Sequence, residues 1–413
     1  MESHPIATPE QHQHELEALE LIQHPLVKEA YERVRAHWLE QADPTPAMRA
    51  CFDSAFEEVM FSAAIWSSNQ DPLRPKVVTI TRLAHPAGDR EIPGSRWGID
   101  NPDSIYRVIP ISGDEQYRIH GRVGERRMTE NYFTLWDEKM NTVDVLSGHD
   151  LVLDDDRRFT ITVDSKPADG RPNHIQSAPE AHEFYIRDVM LDWARDEPNE
   201  FTIERLGDPP TTPPKTIDEQ AQLTADFMLH YADFTHRLSR GSLANEANSF
   251  SLAWSADTGG ALRKQVYVGG HFRLTEDEAF VVHVSDGGAA YFVVPIANVW
   301  GTTLEIVHRT SSLNKAQSVA NPDGTYTYVI SREDPGVHNW LDPCDMDEGM
   351  LTLRMAEFPE SGPNDDLSAQ GEVVKHADLR THLPEGTTWV TPEQRAQQQA
   401  ERAAAYKRRL PEV

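Results

Sequence analysis

The feature that most constrains the fold of this chain is an internal repeat of a β-strand pattern. Asp114–His120 reads against Asp277–His283, displaced by 163 residues. Four blocks in the same order at a nearly constant displacement indicate one sheet topology built twice, with function in one β scaffold or between two. The other three blocks, displaced by 166 or 167 residues, are Phe159–Val163 with Tyr326–Ile330, Asn173–Ile175 with Asn339–Leu341, and Phe184–Arg187 with Leu351–Arg354.

The segments around these blocks alternate apolar and polar residues and are punctuated by glycine, proline and aspartate, which is typical of antiparallel strands. They run from Lys76 to Leu206 and from about Phe250 to Phe358. Strand follows strand with little room for crossover helices. The pattern therefore predicts a mainly β protein with two jelly-roll-like antiparallel β-sandwich domains.

Helical periodicity precedes, joins and follows the two predicted sandwiches. Residues 9 to 66 read as helical, with new starts at Pro25 and Pro46. A capping box at Thr216 and Glu219 begins a connecting helix that runs to about Arg240. The predicted buried stripe of this helix is Leu223, Phe227, Tyr231, Phe234 and Leu238.

A last helix begins at Thr391-Pro392, and its face of alanine and glutamine is expected to lie loosely on the surface or against a second subunit. That face is the only sequence feature that favours a homo-oligomer. The predicted regions are helices in 1–70, a first sandwich in 71–210, a proline-rich linker and connecting helix in 211–245, a second sandwich in 246–360, and a loop with the C-terminal helix in 361–413.

Charge and cysteine content limit the partners and the compartment. The chain has 39 basic and 67 acidic residues, for a net charge of −28. Nucleic-acid and anionic membrane partners both require a basic face, so neither is expected. Cys51 and Cys344 cannot build a disulfide framework. Since no apolar run reaches the roughly 18 residues of a membrane span, a soluble cytoplasmic protein is predicted.

Several enzyme classes are excluded by their missing motifs. The chain has no Gly-x-Ser-x-Gly elbow, phosphate loop, dinucleotide fingerprint or His-Glu-x-x-His helix. Asp257-Thr258-Gly259 resembles the catalytic triplet of aspartic proteases, but no second triplet occurs. A turn is the favoured interpretation of that triplet.

The histidines do not predict a metal site, and no cofactor is expected. His12 and His14 lie near the start of the chain, where we expect them to be solvated. His120 and His283 occupy equivalent strand positions in the two repeats, on the sheet face opposite their apolar neighbours. One histidine per sheet cannot supply a three-ligand zinc site, so a structural or exposed role is favoured.

The densest polar cluster lies in two segments, Arg309–Asn314 and Asp334–Asp342. It predicts a pocket with His338 as general acid or base and Asp342 or Asp334 orienting it. Arg309, Asn314 and Asn339 would bind polar groups of the ligand, and Trp340 would line the pocket. A structural turn with Trp340 in the core explains the same residues equally well.

Arg187 and Arg354 recur at equivalent positions of the two predicted sheets. They could pair with carboxylates of a substrate, although a salt bridge to a nearby aspartate is the more usual role.

The string Asp334-Pro-Gly-Val-His-Asn-Trp-Leu-Asp342, together with Trp300-Gly301 and Arg309–Asn314, resembles a bacterial domain family of unknown function, number twelve-fourteen. Asn101–Arg107 and Tyr117–Gly121 share the likeness, which spans about residues 95 to 358. The resemblance implies jelly-roll-like β domains, in agreement with the strand pattern. It implies no reaction, cofactor or catalytic residue.

Two functions follow from these residues. The first is a metal-independent lyase, isomerase or hydrolase that acts on a small organic molecule near the Asp334–Asp342 turn. The alternative is a non-catalytic module that binds a carbohydrate or a lipid-like ligand, with Trp340 stacking on it.

Overall fold

Two β-sandwiches with the same strand order form the centre of the protein, in a computed structural model that describes residues 4–254, 260, 262 and 265–410. The first sandwich is preceded by helices α1 (Pro9–Ile22), α2 (Pro25–Gln41), α3 (Pro46–Ala50) and α4 (Phe52–Ser67). Helix α5 (Ile217–Leu243) connects the sandwiches, and α6 (Leu379–His382) and α7 (Pro392–Lys407) follow the second.

In each half the strands are divided between the two sheets of a sandwich, as in a jelly roll, and two short strands of the first half form a separate two-stranded sheet. Strands of the first half are β1 (Val78–Thr79), β2 (His85–Ala87), β3 (Arg90–Ile92), β4 (Ser104–Pro110), β5 (Gln116–Arg122), β6 (Glu130–Trp136), β7 (Thr142–Ser147), β8 (Arg158–Asp164), β9 (His174–Gln176), β10 (Glu183–Val189) and β11 (Glu200–Leu206). Strands of the second half are β12 (Ser249–Trp254), β13 (Val266–Arg273), β14 (Glu278–Ser285), β15 (Tyr291–Ala297), β16 (Ser312–Asn314), β17 (Tyr326–Ile330), β18 (Trp340–Leu341), β19 (Glu348–Ala356) and β20 (Ser368–Lys375).

The strand order is the same in the two halves. The five-stranded sheets have the orders β1-β4-β10-β6-β7 and β12-β13-β19-β15-β16. The four-stranded sheets have the orders β11-β5-β8-β9 and β20-β14-β17-β18. Each four-stranded sheet contains one short parallel pair, β8 with β9 and β17 with β18. The mainly β fold with two sandwiches is therefore confirmed.

Equivalent side chains make the same hydrogen bonds in the two halves. The imidazole Nδ1 of His120 lies 2.9 Å from Thr160 Oγ1, and that of His283 lies 3.1 Å from Thr327 Oγ1. The Asn173 side chain bonds both backbone polar groups of Val152, and Asn339 does the same to Val319. Matching contacts of this kind support duplication of one ancestral unit.

The helical predictions are largely confirmed. Helices α1, α2 and α3 each begin with proline, and the predicted capping box of α5 is formed. Helix α7 begins at the predicted Thr391-Pro392, where Thr391 and Gln394 form a second capping box. Helices α1, α2, α4 and α5 pack on the outer face of the first five-stranded sheet. Within the described residues, none of the helices is both long and apolar enough to cross a membrane.

Four expectations need correction or fall outside the structure. The second sandwich does not end at residue 360, because β20 pairs with β14 along its whole length. Helix α7 does not lie loosely, since Arg395, Arg402 and Tyr406 are buried against the same chain. His14 is not solvated, because its ring is buried and bonds Ile65 O at 2.9 Å. The Asp257-Thr258-Gly259 triplet lies outside the described residues.

The predicted stripe of α5 is confirmed at Tyr231, which is buried, but it is wrong at its two leucines. Leu223 and Leu238 are 39% and 37% exposed, and the buried face instead includes Ala225, Met228 and Ala232. Phe227 and Phe234 are half-buried and line a cleft. Phe227 and Phe234 therefore border an open space, whereas Met228 and Tyr231 lie in the core.

Candidate functional site

The outer faces of the two five-stranded sheets approach each other in the middle of the molecule. Period-two alternation puts Tyr106, Arg187 and Glu130 on the outer face of the first sheet, and Tyr267 and Arg354 on the outer face of the second. Arg354 Nη1 donates to Tyr106 Oη at 3.2 Å, and Gln265, which precedes β13, donates to Glu130. These contacts cross from one half to the other.

Two equivalent arginines line one cavity of about 260 Å³ between these faces. Arg187 Nη2 donates to the backbone carbonyl of Gly260 in the second half, and Arg354 Nη2 donates to that of Ile99 in the first. Ile99 and Gly260 are displaced by 161 residues, as are Tyr106 and Tyr267 beside the arginines. Each half therefore directs its arginine toward the equivalent loop of the other half.

Neither arginine forms an ion pair with a carboxylate anywhere in the described part of the chain. Arg187 Nη1 and Arg354 Nε are buried and lack a hydrogen-bond partner among the described residues. Burying an unpaired charge is costly, and two like charges that share a cavity repel each other as well. An anion bound between them would relieve both costs.

Glu130 does not neutralise these arginines at pH 7. Burial raises the pKa of its carboxyl group to about 8, and the charge of Glu357 adds to that effect against the opposing influence of Arg187 and Arg354. Glu130 Oε1 accepts from Gln265, whereas its buried Oε2 has no partner among the described residues. The group is therefore largely a neutral acid at pH 7.

An aromatic channel leads from this cavity toward the surface. Arg187 lies over the rings of Tyr185 and Trp136, with its guanidinium carbon 4.6 and 5.3 Å from their centroids. A neighbouring cleft of about 510 Å³ shares Trp97, Trp136, Met140 and Phe234 with the cavity. We call the two spaces together the central cleft. Aromatic side chains line both spaces, and Arg187 and Arg354 lie at the inner end together with Asp100. The outer part is also bordered by polar and charged residues, among them the acidic Asp137, Glu138, Glu183 and Asp233.

The sequence-predicted pocket differs from this cleft, because its charges are paired. The Arg309 guanidinium bonds both oxygens of Asp342, at 2.7 and 2.8 Å, and reaches Asp345 Oδ2 at 2.7 Å. The Asp342 side chain is only 2% exposed, and burial raises its pKa against the opposing effect of Arg309. A bidentate pair of this kind fixes a turn and leaves no free charge for a ligand.

His338 and Asp334 are held near helix α7 instead of meeting Asp342. His338 Nε2 lies 3.2 Å from Gln317 O, and the Asp334 carboxylate accepts from Arg395 Nε at 2.8 Å. The cavity beside His338 measures about 10 Å³, which accommodates roughly one water molecule. Burial lowers the pKa of His338.

The three predicted ligand-binding residues that remain also have structural partners. Asn314 donates to Asp103 Oδ1 and to Leu191 O, both at 2.9 Å. Asn339 holds the backbone of Val319, as described above. Trp340 is buried in a small apolar core and donates from Nε1 to Ser331 O at 3.0 Å. The geometry thus favours the structural-turn interpretation of this cluster.

The central cleft was only partly visible in the sequence. The sequence shows the recurrence of Arg187 and Arg354, but the aspartate partners expected for them are absent among the described residues. The equal 161-residue spacing of Tyr106–Tyr267 and Ile99–Gly260 was an available signal. That spacing predicts that an equivalent tyrosine and an equivalent loop accompany each arginine.

Comparison with known proteins bears on the fold. The chain is similar to the crystal structure of an uncharacterised protein from Burkholderia cenocepacia, with a TM-score of 0.74 and 22% identity. The match covers 88% of this chain and 100% of that one. The same fold therefore occurs in that Burkholderia protein.

A protein from Vibrio parahaemolyticus matches at a TM-score of 0.40 and 10% identity, over 67% of this chain and 90% of that one, which is too distant to bear on the fold. No protein-family model and no curated protein matches the chain. The resemblance to the family number twelve-fourteen thus stays a prediction.

Proposed function

We propose that this protein binds a small organic anion with an apolar, planar body in its central cleft. The observation that carries the proposal is the pair of equivalent arginines, Arg187 and Arg354, which lack carboxylate partners among the described residues and line one cavity. Guanidinium groups suit carboxylate, phosphate and sulfonate groups through paired N–H donors. The channel of Trp97, Trp136 and Phe234 would cover the apolar body.

This proposal retains the small-molecule function expected from the sequence and moves it to another site. It belongs to the class of binding modules, with the inner end of the cleft specific for negative charge. The two free cysteines, Cys51 and Cys344, support a reducing compartment such as the cytoplasm.

Proton transfer on the bound anion is the second candidate, and Glu130 favours it. A carboxyl group with a pKa of about 8 is close to the working pH of a cell, as general acid–base catalysis requires. In that case the protein would be a lyase or an isomerase that uses Glu130. Exchange of the α-hydrogen of an arylacetate into deuterated water, lost in Glu130→Gln, would favour this candidate over binding alone.

A charge-matched ligand pair tests the binding proposal. By titration calorimetry we expect 2-naphthoate to bind at least 10-fold more tightly than the neutral 2-naphthamide, because only the carboxylate pairs with the arginines. Arg187→Met and Arg354→Met should each abolish that preference. Both variants should stay folded, because the unpaired buried charge that each removes offsets the hydrogen bond lost to Gly260 O or Ile99 O.

The control is Arg195→Met, which removes an arginine whose side chain is 75% exposed. It should bind 2-naphthoate as the wild type does. Equal affinity for the acid and the amide, or unchanged preference in both arginine variants, would overturn the proposal.

A further inference from the structure

A second cluster lies where helix α1 meets strand β2. His12 and Glu15 are three residues apart on α1 and therefore share one helix face. His85 begins β2. One ligand atom from each of the three side chains lies within 4.8 Å of the other two. Two imidazoles and a carboxylate are a frequent ligand set for zinc in proteins.

The hydrogen bonds of His85 determine which of its nitrogens is available. Its Nδ1 lies 2.9 Å from Leu83 O, and a carbonyl oxygen only accepts, so Nδ1 carries a hydrogen. Metal-binding histidines commonly make this bond to a backbone carbonyl, which directs the Nε2 lone pair at the ion. Here Nε2 lies 3.1 Å from Glu15 Oε2. A neutral His85 would thus place two electron-pair acceptors in contact.

Either a proton or a metal ion between His85 and Glu15 would remove this conflict. A proton would make His85 an imidazolium, but it would not give the buried nitrogen of His12 a partner. His12 Nε2 is buried and has no hydrogen-bond partner among the described residues. A metal ion accounts for the lone pairs of His12, His85 and Glu15 together.

Arg82 is the cation that faces the cluster, and its position is compatible with a metal ion. It donates to Glu15 Oε1, as does Gln11 Nε2 at 3.0 Å. The other carboxylate oxygen, Oε2, is bonded only by His85 among the described residues. Glu15 can therefore bridge the arginine and the ion with different oxygens. His12 is half-buried, which leaves a route for the ion and for a water ligand.

We propose that His12 Nε2, His85 Nε2 and Glu15 Oε2 bind one divalent transition-metal ion of the zinc type. Zinc bonds of about 2.0 to 2.2 Å put tetrahedral ligand atoms about 3.3 to 3.6 Å apart. His85 Nε2 and Glu15 Oε2 are already 3.1 Å apart, and the His12 atom would approach them by about 1.5 Å or less. Imidazole ligands select zinc-type ions over magnesium and calcium, which prefer oxygen. The ion would fasten α1 to the β2–β3 hairpin and keep a fourth position for water.

The test uses full-length protein without a histidine tag, stripped of metal with a chelator and then titrated with Co²⁺ and Zn²⁺. We expect one equivalent of Co²⁺ to give the intense visible absorption of a four-coordinate site and to be displaced by Zn²⁺. Unfolding should shift to higher temperature with Zn²⁺. His12→Ala and His85→Gln should each weaken binding by about 100-fold or more.

His37→Ala is the matched control, because His37 is an exposed helical histidine outside the cluster. It should bind one equivalent as tightly as the wild type. His12→Ala keeps the test valid if His85→Gln does not fold, since alanine is well tolerated at a partly exposed helical position. Failure of the wild type to bind one equivalent, or equal binding by His12→Ala and His37→Ala, would overturn the metal site.

Discussion

The Asp334–Asp342 turn and the central cleft both contain arginine, aromatic and carboxyl groups, yet they differ in how their charges are satisfied. In the turn, Arg309 has two carboxylate partners, and the side chains around it are hydrogen-bonded to the same chain. In the cleft, Arg187 and Arg354 have buried N–H groups without partners among the described residues. Residue types alone did not separate the two regions. A polar cluster whose hydrogen bonds are all made stabilises the fold, whereas buried N–H groups without partners are the place where we expect a ligand to bind.

The substitution with the largest expected effect on stability disrupts the Asp334–Asp342 turn and leaves the central cleft intact. Asp342→Ala should lower the free energy of unfolding by about 3 kcal/mol, because Arg309 loses its buried bidentate partner. Affinity for 2-naphthoate at a temperature well below unfolding should not change. Chemical denaturation and titration calorimetry measure the two quantities.

Asp345→Ala is the control for this variant, since Asp345 pairs with the same arginine but its side chain is 73% exposed. Its effect should stay below about 1 kcal/mol. Equal losses of unfolding free energy from both substitutions would show that burial does not determine how much each carboxylate contributes to stability through its pair with Arg309.

Much of the fold could be predicted because it depends on local patterns. Alternation, proline starts and capping boxes gave most of the helices and the longer strands. Strand β20 was missed because it is a largely exposed edge strand, in which Gly371 packs against the ring of Phe280 where a Cβ would clash at 2.4 Å. Its sequence, Ser368–Lys375, therefore lacks a continuous apolar stripe.

The cleft could not be predicted in the same way, because it is formed by contact between surfaces distant in sequence. The outer faces of the two sheets carry polar residues that would be solvent-exposed in an isolated sandwich. Helix α5 shows the same difficulty. Its residues Phe227 and Phe234 were predicted as part of a core stripe, but they border the cleft. Only the packing of the two halves shows whether such residues are exposed to solvent, buried in the core or lining the cleft.

A second prediction concerns the pH dependence of the cleft. Glu130 is mostly protonated below its pKa of about 8 and loses its proton above it. The resulting carboxylate near Arg187 and Arg354 competes with an anionic ligand for their positive charge. Affinity for 2-naphthoate should therefore fall about 10-fold, or about 1.4 kcal/mol, between pH 7 and pH 9.

Glu130→Gln keeps the side-chain shape and cannot ionise, so the affinity of this variant should be nearly constant over that range. Calorimetric titrations at pH 7, 8 and 9 provide the comparison. A wild-type affinity that is also constant would mean that Glu130 does not interact with the ligand site.

The substitution with the smallest expected effect distinguishes most directly between the Asp334–Asp342 turn and the central cleft as the ligand site. His338→Gln should change the free energy of unfolding by less than about 1 kcal/mol, because His338 makes one side-chain hydrogen bond, to Gln317 O, among the described residues, and glutamine can replace it. Affinity for 2-naphthoate should stay within twofold of the wild type, since the cavity beside His338 has room for about one water molecule. Loss of 2-naphthoate binding in this variant, with Arg354→Met still binding, would return the functional site to the Asp334–Asp342 turn and make the paired charges there part of a ligand site after all.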